Sequence, residues 1–315
     1  MMVFTSSLNV LDRRLVEKVA ADLLTSPGLV EKDWHVTRAL AVLAGHDHGG
    51  AKPAFGGGTS LSKGWGLIKR FSEDIDFKVA VPEATSRNKA KNERSAYRKR
   101  ILAALSEAGF VLAGEPTRAD ENHFFSADLF YPNVFDTSPG LRPHIRVEMT
   151  LRAPALPPIA RPVASLIGLA QRQPPEVAAF LCVDPVETAA DKLSALAWRV
   201  LARQRGSADD DPTIIRHLHD LAALKQMIGA SGEFSRLALK AMSDDTGRGG
   251  EATASSDPAA LFAGMLERLS ADRLWAGEYE NYVDAVSFAR PDEQLGFDAA
   301  LAAVRDLIAL IGESA

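Results

Sequence analysis

The spacing of apolar and polar residues divides the chain into three parts. Over residues 9–48, apolar side chains recur at three- and four-residue intervals, which is typical of helices that bury one face. Residues 52–165 alternate turn, helix and strand patterns, and the pattern after Asp184 is helical throughout. We therefore expect an α+β fold, in which a small mixed β-sheet with flanking helices is followed by a helical C-terminal domain.

Capping and turn residues predict where several elements begin and end. Asp184-Pro185 and Asp211-Pro212 each place aspartate at a helix N-cap and proline at the first helical position. Glu187 is interpreted as a further cap of the first of these two helices. The other predicted elements are a strand from Asp74 to about Val81, a polar helix from Arg87 to Ala108 that ends at Gly109, strands over 124–131 and 144–151, and a loop over 243–258.

The composition favours a cytoplasmic enzyme. With 315 residues, of which 46% are apolar, the chain can bury a large core. Its single cysteine, Cys182, excludes a disulfide within the chain and suits a reducing compartment. No apolar run approaches the roughly 20 residues that span a bilayer. The net charge of −5 gives no overall basic surface for nucleic acid, so local charge has to be considered instead.

Residues 55–79 combine a glycine turn with two paired carboxylates. The turn precedes a short predicted helix and contains Gly57, Gly58, Thr59 and Ser60. Asp74 and Asp76 lie in an alternating run that predicts a strand, and side chains two apart on a strand share a face. Two hard oxygen ligands beside the backbone N–H groups of a helix N-terminus form a site for Mg²⁺ and a triphosphate. Metal ions held there could activate an attacking oxygen and stabilise a leaving pyrophosphate.

The glycine turn and the paired aspartates do not match a Walker phosphate loop. A Walker loop requires Gly-Lys-Ser or Gly-Lys-Thr, whereas this chain has Ser62-Lys63-Gly64. The glycine turn, the intervening helix and Asp74-Ile-Asp76 resemble the signature of the polymerase-β-like nucleotidyltransferase superfamily. More narrowly, the chain resembles the AbiEii/AbiGii toxin family, which includes the MenT nucleotidyltransferase toxins. The segments that carry this resemblance are Glu31 to Trp34, Phe55 to Lys63, Arg70 to Asp76, Glu187 to Arg199, and Arg216 to Asp220.

The resemblance implies roles for particular residues. Asp74, Asp76, Lys192 and Asp220 would be catalytic, with Lys192 on the triphosphate oxygens as pyrophosphate leaves. Asp220 would hold Lys192 or Arg216 in place, or act as a base. The family tends to have Arg-Asp-x-x-Asp at its last motif, and since His217 takes the second position here, only Arg216 and Asp220 carry over. The implied nucleotide-binding residues are Gly57, Gly58, Thr59, Ser60, Lys63, Arg70 and Ser72.

The resemblance also implies a cofactor and a domain organisation. The cofactor would be Mg²⁺ or Mn²⁺, with an NTP as substrate. We expect an N-terminal helical segment at 1–50 that packs on the core, a nucleotidyltransferase catalytic domain at 51–165, and a helical domain at 180–315 that completes the nucleotide site.

The resemblance to the superfamily, which often places a third carboxylate on a strand beside the Asp-x-Asp strand, implies such a residue here. In the run from Ile145 to Leu151, Glu148 shares the polar face with Arg146 and is the first candidate for a metal ligand. The alternative is a solvated or salt-bridged residue on that face. Asp128, in the other predicted strand, is the second candidate for the third carboxylate.

Basic residues of the polar helix suggest a contact with RNA. At helical spacing, Arg87, Lys91, Arg94 and Arg98 form one stripe, which could follow an RNA backbone or could be an ordinary solvated face. Arg199, two turns beyond Lys192, could contact phosphate or tRNA. The segment from His217 to Asp220 also invites a metal-hydrolase interpretation, but adjacent His and Asp do not share a helix face, and no remote partner set is evident.

The expected function follows from the resemblance. The enzyme would transfer NMP from an NTP to an RNA 3′ end, with the tRNA acceptor end as the first candidate, and so block aminoacylation and translation. A cognate antitoxin protein is the implied partner. The alternatives are transfer to a protein hydroxyl or a small molecule through the same site, and a non-catalytic nucleotide-binding regulator. The presence of both Asp74 and Asp76 disfavours the regulator.

Overall fold

A mixed eight-stranded sheet carries the glycine turn and the two aspartates at its centre. The computed structural model describes residues 11–82, 84–137, 141–208, 210–250 and 257–312. The strands are β1 (Lys52–Gly56), β2 (Asp74–Ala80), β3 (Val111–Leu112), β4 (Thr117–Ala119), β5 (Phe124–Phe130), β6 (Ile145–Thr150), β7 (Ile159–Val163) and β8 (Val177–Cys182). Their order is β3-β5-β6-β2-β1-β8-β7, and β4 pairs with β5. The pairs β2–β6 and β1–β8 are parallel, and the others are antiparallel.

Helices flank the sheet and form the C-terminal third. They are α1 (Arg13–Asp22), α2 (Pro27–Gly45), α3 (Gly57–Thr59), α4 (Arg87–Glu107), α5 (Leu166–Ala170), α6 (Pro185–Ala202), α7 (Arg216–Gly229), α8 (Phe234–Asp244), α9 (Pro258–Ala271), α10 (Leu274–Val286) and α11 (Phe297–Gly312). Helix α3 continues as a π-helical turn, Ser60–Gly64. None of the described helices has the length and apolarity needed to cross a membrane. The predicted α+β class is confirmed.

Two hydrophobic clusters meet at the segment that joins α3 to β2, residues 60–73, which we call the catalytic loop. One packs the sheet against α2 and α4, and it includes Phe55, Ile75 and Val147. The other unites the helices from α6 to α11, and Leu61 and Ile68 of the loop between α3 and β2 pack into it. Because that loop contributes apolar side chains to the helical cluster, burial of the helices also fixes the loop.

Most of the predicted boundaries agree with the structure. The carboxylate of Asp184 accepts a hydrogen bond from Val186 N (2.8 Å) and that of Asp211 from Thr213 N (2.9 Å), as their N-cap assignments require. Glu187 does not cap α6. Its carboxylate instead accepts hydrogen bonds from the backbone N–H groups of Ala155 and Leu156.

The sheet extends further along the chain than the sequence pattern indicates. Strands β1, β3, β4, β7 and β8 were not predicted, and β8 lies beyond the expected boundary at residue 165. The division into domains itself stays a prediction. Within the loop expected over 243–258, α8 runs to Asp244 and turns follow to residue 250, while residues 251–256 lie outside the described part of the chain, as do residues 1–10 of the N-terminal segment.

Candidate active site

Strand β2 presents its polar face to the helical part of the molecule. Ile75, Phe77 and Val79 are buried on the opposite face, so Asp74 and Asp76 point together, as the alternation predicts. The next residue on the polar face, Lys78, forms ion pairs with Glu187 (2.7 Å) and Asp191 (2.6 Å) of α6. These ion pairs tie the β2 strand to helix α6.

Glu148 lies beside Asp76 in the parallel ladder between β2 and β6. The two residues are register partners. Burial and the charges of Glu148 and Asp74 raise the pKa of Asp76 to about 7. Burial and the charge of Asp74 likewise raise the pKa of Glu148. The three carboxylates are therefore close enough for their negative charges to repel one another.

Asp128, the other candidate for the third carboxylate, is already paired. Its two oxygens accept hydrogen bonds from Arg146 Nε (2.7 Å) and Nη2 (3.0 Å). The hydrogen bond from Arg146 holds the pKa of Asp128 below its ordinary value. Of the two candidates, Glu148 is the one that the structure places beside the aspartates.

The glycine turn lies directly against Asp76. Gly57 has φ +68°, and a Cβ atom there would lie 1.8 Å from Asp76 Oδ2. A Cβ atom at Gly58 would lie 2.8 Å from Ser72 Oγ and 2.9 Å from the guanidinium of Arg70. Glycine is thus required at both positions for the turn to approach the carboxylate and the Arg70–Ser72 loop.

The two hydroxyls of the turn differ in their hydrogen bonding. Thr59 Oγ1 donates to the carbonyl of Asp74, which ties the turn to the start of β2. The Ser60 side chain is buried near the thiol of Cys182 on β8, and its Oγ has no hydrogen-bond partner among the described residues. For Thr59, the predicted contact with phosphate therefore falls to the backbone N–H group, while that of Ser60 stays a prediction.

A matched pair of glycine variants tests the contact between the turn and Asp76. Gly57→Ala should abolish nucleotidyl transfer, because the added methyl group displaces the Asp76 carboxylate. Gly66→Ala is the control, since Gly66 has a similar φ of +64°, but apart from its chain neighbours no atom of the described residues lies within 4 Å of where its added methyl group would stand. Each variant should lose about 1–2 kcal/mol of stability to backbone strain. Equal activity of the two purified variants in a transfer assay would contradict the importance of this contact.

Asp220 of α7 is the centre of a buried ionic cluster. The side chain is fully buried, and its oxygens accept hydrogen bonds from Arg70 Nε (2.7 Å) and Nη2 (2.6 Å). Lys192 Nζ of α6 lies 2.8 Å from Asp220 Oδ2. Burial alone would raise the pKa of Asp220, but the charges of Arg70 and Lys192 hold it well below its ordinary value. Asp220 is therefore ionised and orients both cations.

Arg216 lies on the same side of the site as Lys192. The positive charges of both residues act on Asp76 and lower its pKa, against the larger effect of burial. Arg216 does not pair with Asp220. Its Nη1 donates to Thr213 Oγ1 at 2.5 Å. His217, which replaces the family's aspartate, is buried, and burial lowers its pKa well below the ordinary value, so it is neutral.

The catalytic loop is joined to the end of α10. Phe71 N donates to the carbonyl of Val286 (2.8 Å), and Phe288 N donates to the carbonyl of Lys69 (3.0 Å). The ring of Tyr282 lies 5.6 Å from the Arg70 guanidinium. No signal in the sequence identified Tyr282, because α10 lies far from every motif.

Lys63 points away from the carboxylates. Its Nζ lies 2.5 Å from Asp33 Oδ1 and donates to the carbonyl of Ala164 (3.2 Å). Lys63 thus ties the π-helical turn to α2 and to the segment before α5. Its role in nucleotide binding stays a prediction.

The basic residues of α4 do not form one exposed stripe. Arg94 and Arg98 are buried, and they donate to the Glu121 carbonyl (3.1 Å) and to the Asn122 side chain (3.2 Å). Arg87 is exposed and pairs with Glu121, and Lys91 is exposed. An RNA contact by this helix stays a prediction, and of the four residues Arg87 and Lys91 are the exposed ones.

Arg199 lies closer to the carboxylates. Its guanidinium packs 5.0 Å from the Trp198 ring, and its Nη1 donates to Asp211 at 3.4 Å. Burial and the neighbouring Arg216 lower the pKa of Arg199, and the charge of Glu148 opposes them. Arg199 is thus at the margin of the site, where a bound acceptor could reach it.

Arg142 is a further residue of the site that the sequence pattern did not indicate. It precedes β6 in a segment without periodicity, and its Nη1 lies 2.5 Å from Asp74 Oδ1. One oxygen of a carboxylate that was predicted to bind metal is therefore paired with an arginine.

The donor chemistry of the site fits a divalent cation. Carboxylate oxygens such as those of Asp74, Asp76 and Glu148 are the ligands that Mg²⁺ and Mn²⁺ prefer. As the side chains stand in the described residues, however, no group of three or more Asp, Glu, His or Cys converges on a point where a metal ion could be held. The pairing of Asp74 with Arg142 is one physical reason for this.

The sheet, the glycine turn and the carboxylates define a nucleotidyltransferase. A family model described as "Nucleotidyl transferase AbiEii toxin, Type IV TA system" matches residues 38–303, and the chain belongs to this family. Among solved structures, the chain is similar to MenT4, the nucleotidyltransferase toxin Rv2826c from Mycobacterium tuberculosis H37Rv. The identity is 19%, the TM-score is 0.49, and the match covers 94% of this chain and 98% of MenT4. No curated protein matches the sequence.

Proposed function

We propose that this enzyme transfers NMP from an NTP to the 3′ end of an RNA, with tRNA as the preferred acceptor, and thereby inhibits translation. The observation that carries the proposal is the arrangement of Asp74, Asp76 and Glu148 near the buried Lys192 and the partly buried Arg216, whose charges both act on Asp76. The three carboxylates suit the binding of a metal ion beside the nucleophile and the phosphate, and the two cations suit a leaving pyrophosphate. In the reaction, the 3′ oxygen bonds to the α-phosphorus, the bond to pyrophosphate breaks, and the hydroxyl proton is released.

The residues of the chain would divide this work. The backbone N–H groups of the glycine turn would hold phosphate oxygens, and Lys192, fixed by Asp220, would neutralise charge that develops on pyrophosphate. Removal of one such donor commonly costs about 3 kcal/mol at the transition state. Asp74, Asp76 and Glu148 would hold Mg²⁺ or Mn²⁺, and the bound ion would supply Lewis-acid activation of the attacking oxygen and charge stabilisation of the leaving group.

The proposed domains and partners follow from the same site. The helical domain at 180–315 would complete the nucleotide site, because Lys192 and Asp220 belong to its helices. A cognate antitoxin is the partner that the family implies, and we propose that both proteins act in the cytoplasm.

One labelling experiment tests the proposal. The purified protein is incubated with each of the four NTPs, labelled at the α-phosphate, together with Mg²⁺ and total tRNA. Label should appear on the tRNA and should be lost on removal of the 3′-terminal nucleotide. Asp76→Ala is the inactive control. Label that migrates with protein would contradict an RNA acceptor, and the absence of transfer from every NTP would contradict the activity as stated.

A further inference from the structure

The segment before β6 places an arginine on the first carboxylate of the proposed metal site. Arg142 Nη1 lies 2.5 Å from Asp74 Oδ1, and the guanidinium Nε lies 3.8 Å from Glu73 Oε1. Both side chains of the Arg142–Asp74 pair are largely sheltered, with 30% and 20% of their surfaces exposed. A partly buried ion pair is screened less by solvent than one on an open surface.

The backbone of Arg142 is anchored, so this pairing is part of the fold. Its N–H donates to Glu73 Oε2 at 3.0 Å, and its carbonyl accepts a hydrogen bond from Lys32 Nζ at 2.6 Å. Lys32 is fully buried in α2 and also pairs with Glu73. Lys32 and Glu73 thus fix the main chain, while the ion-pair partners of the guanidinium among the described residues are the carboxylates of Glu73 and Asp74.

The other two carboxylates have no such partner. In the described part of the chain, the ion pairs within 4 Å that involve Asp74, Asp76 or Glu148 are made by Arg142 alone. Arg146, the register partner of Asp74, turns to Asp128 instead. Arg142 therefore pairs with a carboxylate of the proposed metal site, whereas the neighbouring Arg146 pairs with Asp128.

We propose that Arg142 is the counter-ion that Asp74 exchanges for a divalent cation. While the guanidinium is bound, Asp74 Oδ1 is a weaker ligand for a metal ion, because the arginine occupies one of its lone pairs and repels a second cation. Arg142 is thus a positioning residue that keeps the affinity of the free enzyme for metal low. This inference rests on the proposed function, since it takes Asp74 as a metal ligand.

Titration of the nucleotide-free protein with Mn²⁺, followed by the electron paramagnetic resonance signal of the free ion, tests the exchange. Arg142→Gln should bind Mn²⁺ about five- to tenfold more tightly than the unaltered protein, as expected for the loss of a competing ion pair worth about 1 kcal/mol. Arg146→Gln is the matched control, because it removes the same charge from the neighbourhood of Asp74 without touching it. Its Mn²⁺ affinity should change much less.

The backbone anchors of residue 142 do not use its side chain, so the variant should fold, and its thermal unfolding without metal can verify this. Arg142→Ala provides a second variant with the same expected gain. Unchanged or weaker Mn²⁺ binding in both variants, or an equal gain in Arg146→Gln, would overturn the inference. Mn²⁺ titration of Asp76→Ala distinguishes a failure of this inference from a failure of the proposed function. If Mn²⁺ binding is lost in Asp76→Ala, the metal site stands whatever Arg142 does, whereas binding that Asp76→Ala leaves intact overturns both.

Discussion

Asp76→Asn is expected to lower the rate of nucleotidyl transfer by about a thousandfold or more. A metal ligand at the reacting centre contributes several kcal/mol to the transition state, and about 4 kcal/mol corresponds to three orders of magnitude. Asp128→Asn is the matched control, because that carboxylate lies on a nearby strand but is paired with Arg146. Its transfer rate should stay within about tenfold of the unaltered protein, since no reacting group is removed.

Although it lowers the transfer rate, Asp76→Asn should make the folded protein more stable at pH 8. Since the pKa of Asp76 is raised from 3.8 to about 7, the folded protein keeps this proton at a pH where the unfolded chain has lost it. The contribution of Asp76 to stability therefore falls as the pH rises from about 4 to about 7 and stays low above that range. In metal-free buffer at pH 8, Asp76→Asn should unfold at a higher temperature than the unaltered protein. An unaltered protein that is as stable as the variant there would contradict the repulsion among the carboxylates.

Asp220→Ala is expected to destabilise the fold by about 3–5 kcal/mol, because it leaves the buried cations Arg70 and Lys192 without their common partner. Urea unfolding followed by circular dichroism gives this difference. The control is Asp306→Ala, which removes the partner of Lys225 in an exposed pair and should cost no more than about 1 kcal/mol. A loss of less than about 1 kcal/mol in Asp220→Ala would show that the cluster orients the two cations without stabilising the fold.

The sequence predicted those parts of the fold that have a local cause. Strands β2, β5 and β6 follow from alternation, and α6 begins where Asp184 and Pro185 indicate. By contrast, β1 contains Pro53, which argues against a central strand. Pro53 is tolerated there because the pairing of β1 with β8 includes only Phe55 and does not reach Pro53. The edge strands β3 and β7 are short, and only their distant partners define them.

The site was predictable to the extent that one strand or one motif contains it. Asp74 and Asp76 share a face by periodicity, and the position of Glu148 beside them follows once β2 and β6 pair. The hydrogen bonds from Arg70 to Asp220 join residues 150 positions apart, and no pattern indicates them. For the same reason Arg142 was missed, and the burial of Arg94 and Arg98 could not be foreseen from helical spacing alone.

The junction between the catalytic loop and the end of α10 has a genetic consequence. A stop codon introduced between codons 225 and 280 leaves every predicted catalytic residue encoded, yet it removes Tyr282 and the backbone partners of Lys69 and Phe71. Such truncated products should be harmless to the cell. When survivors of toxin expression are selected and sequenced, we therefore expect escape mutations along the reading frame well beyond codon 220, and not only in the codons of the catalytic motifs.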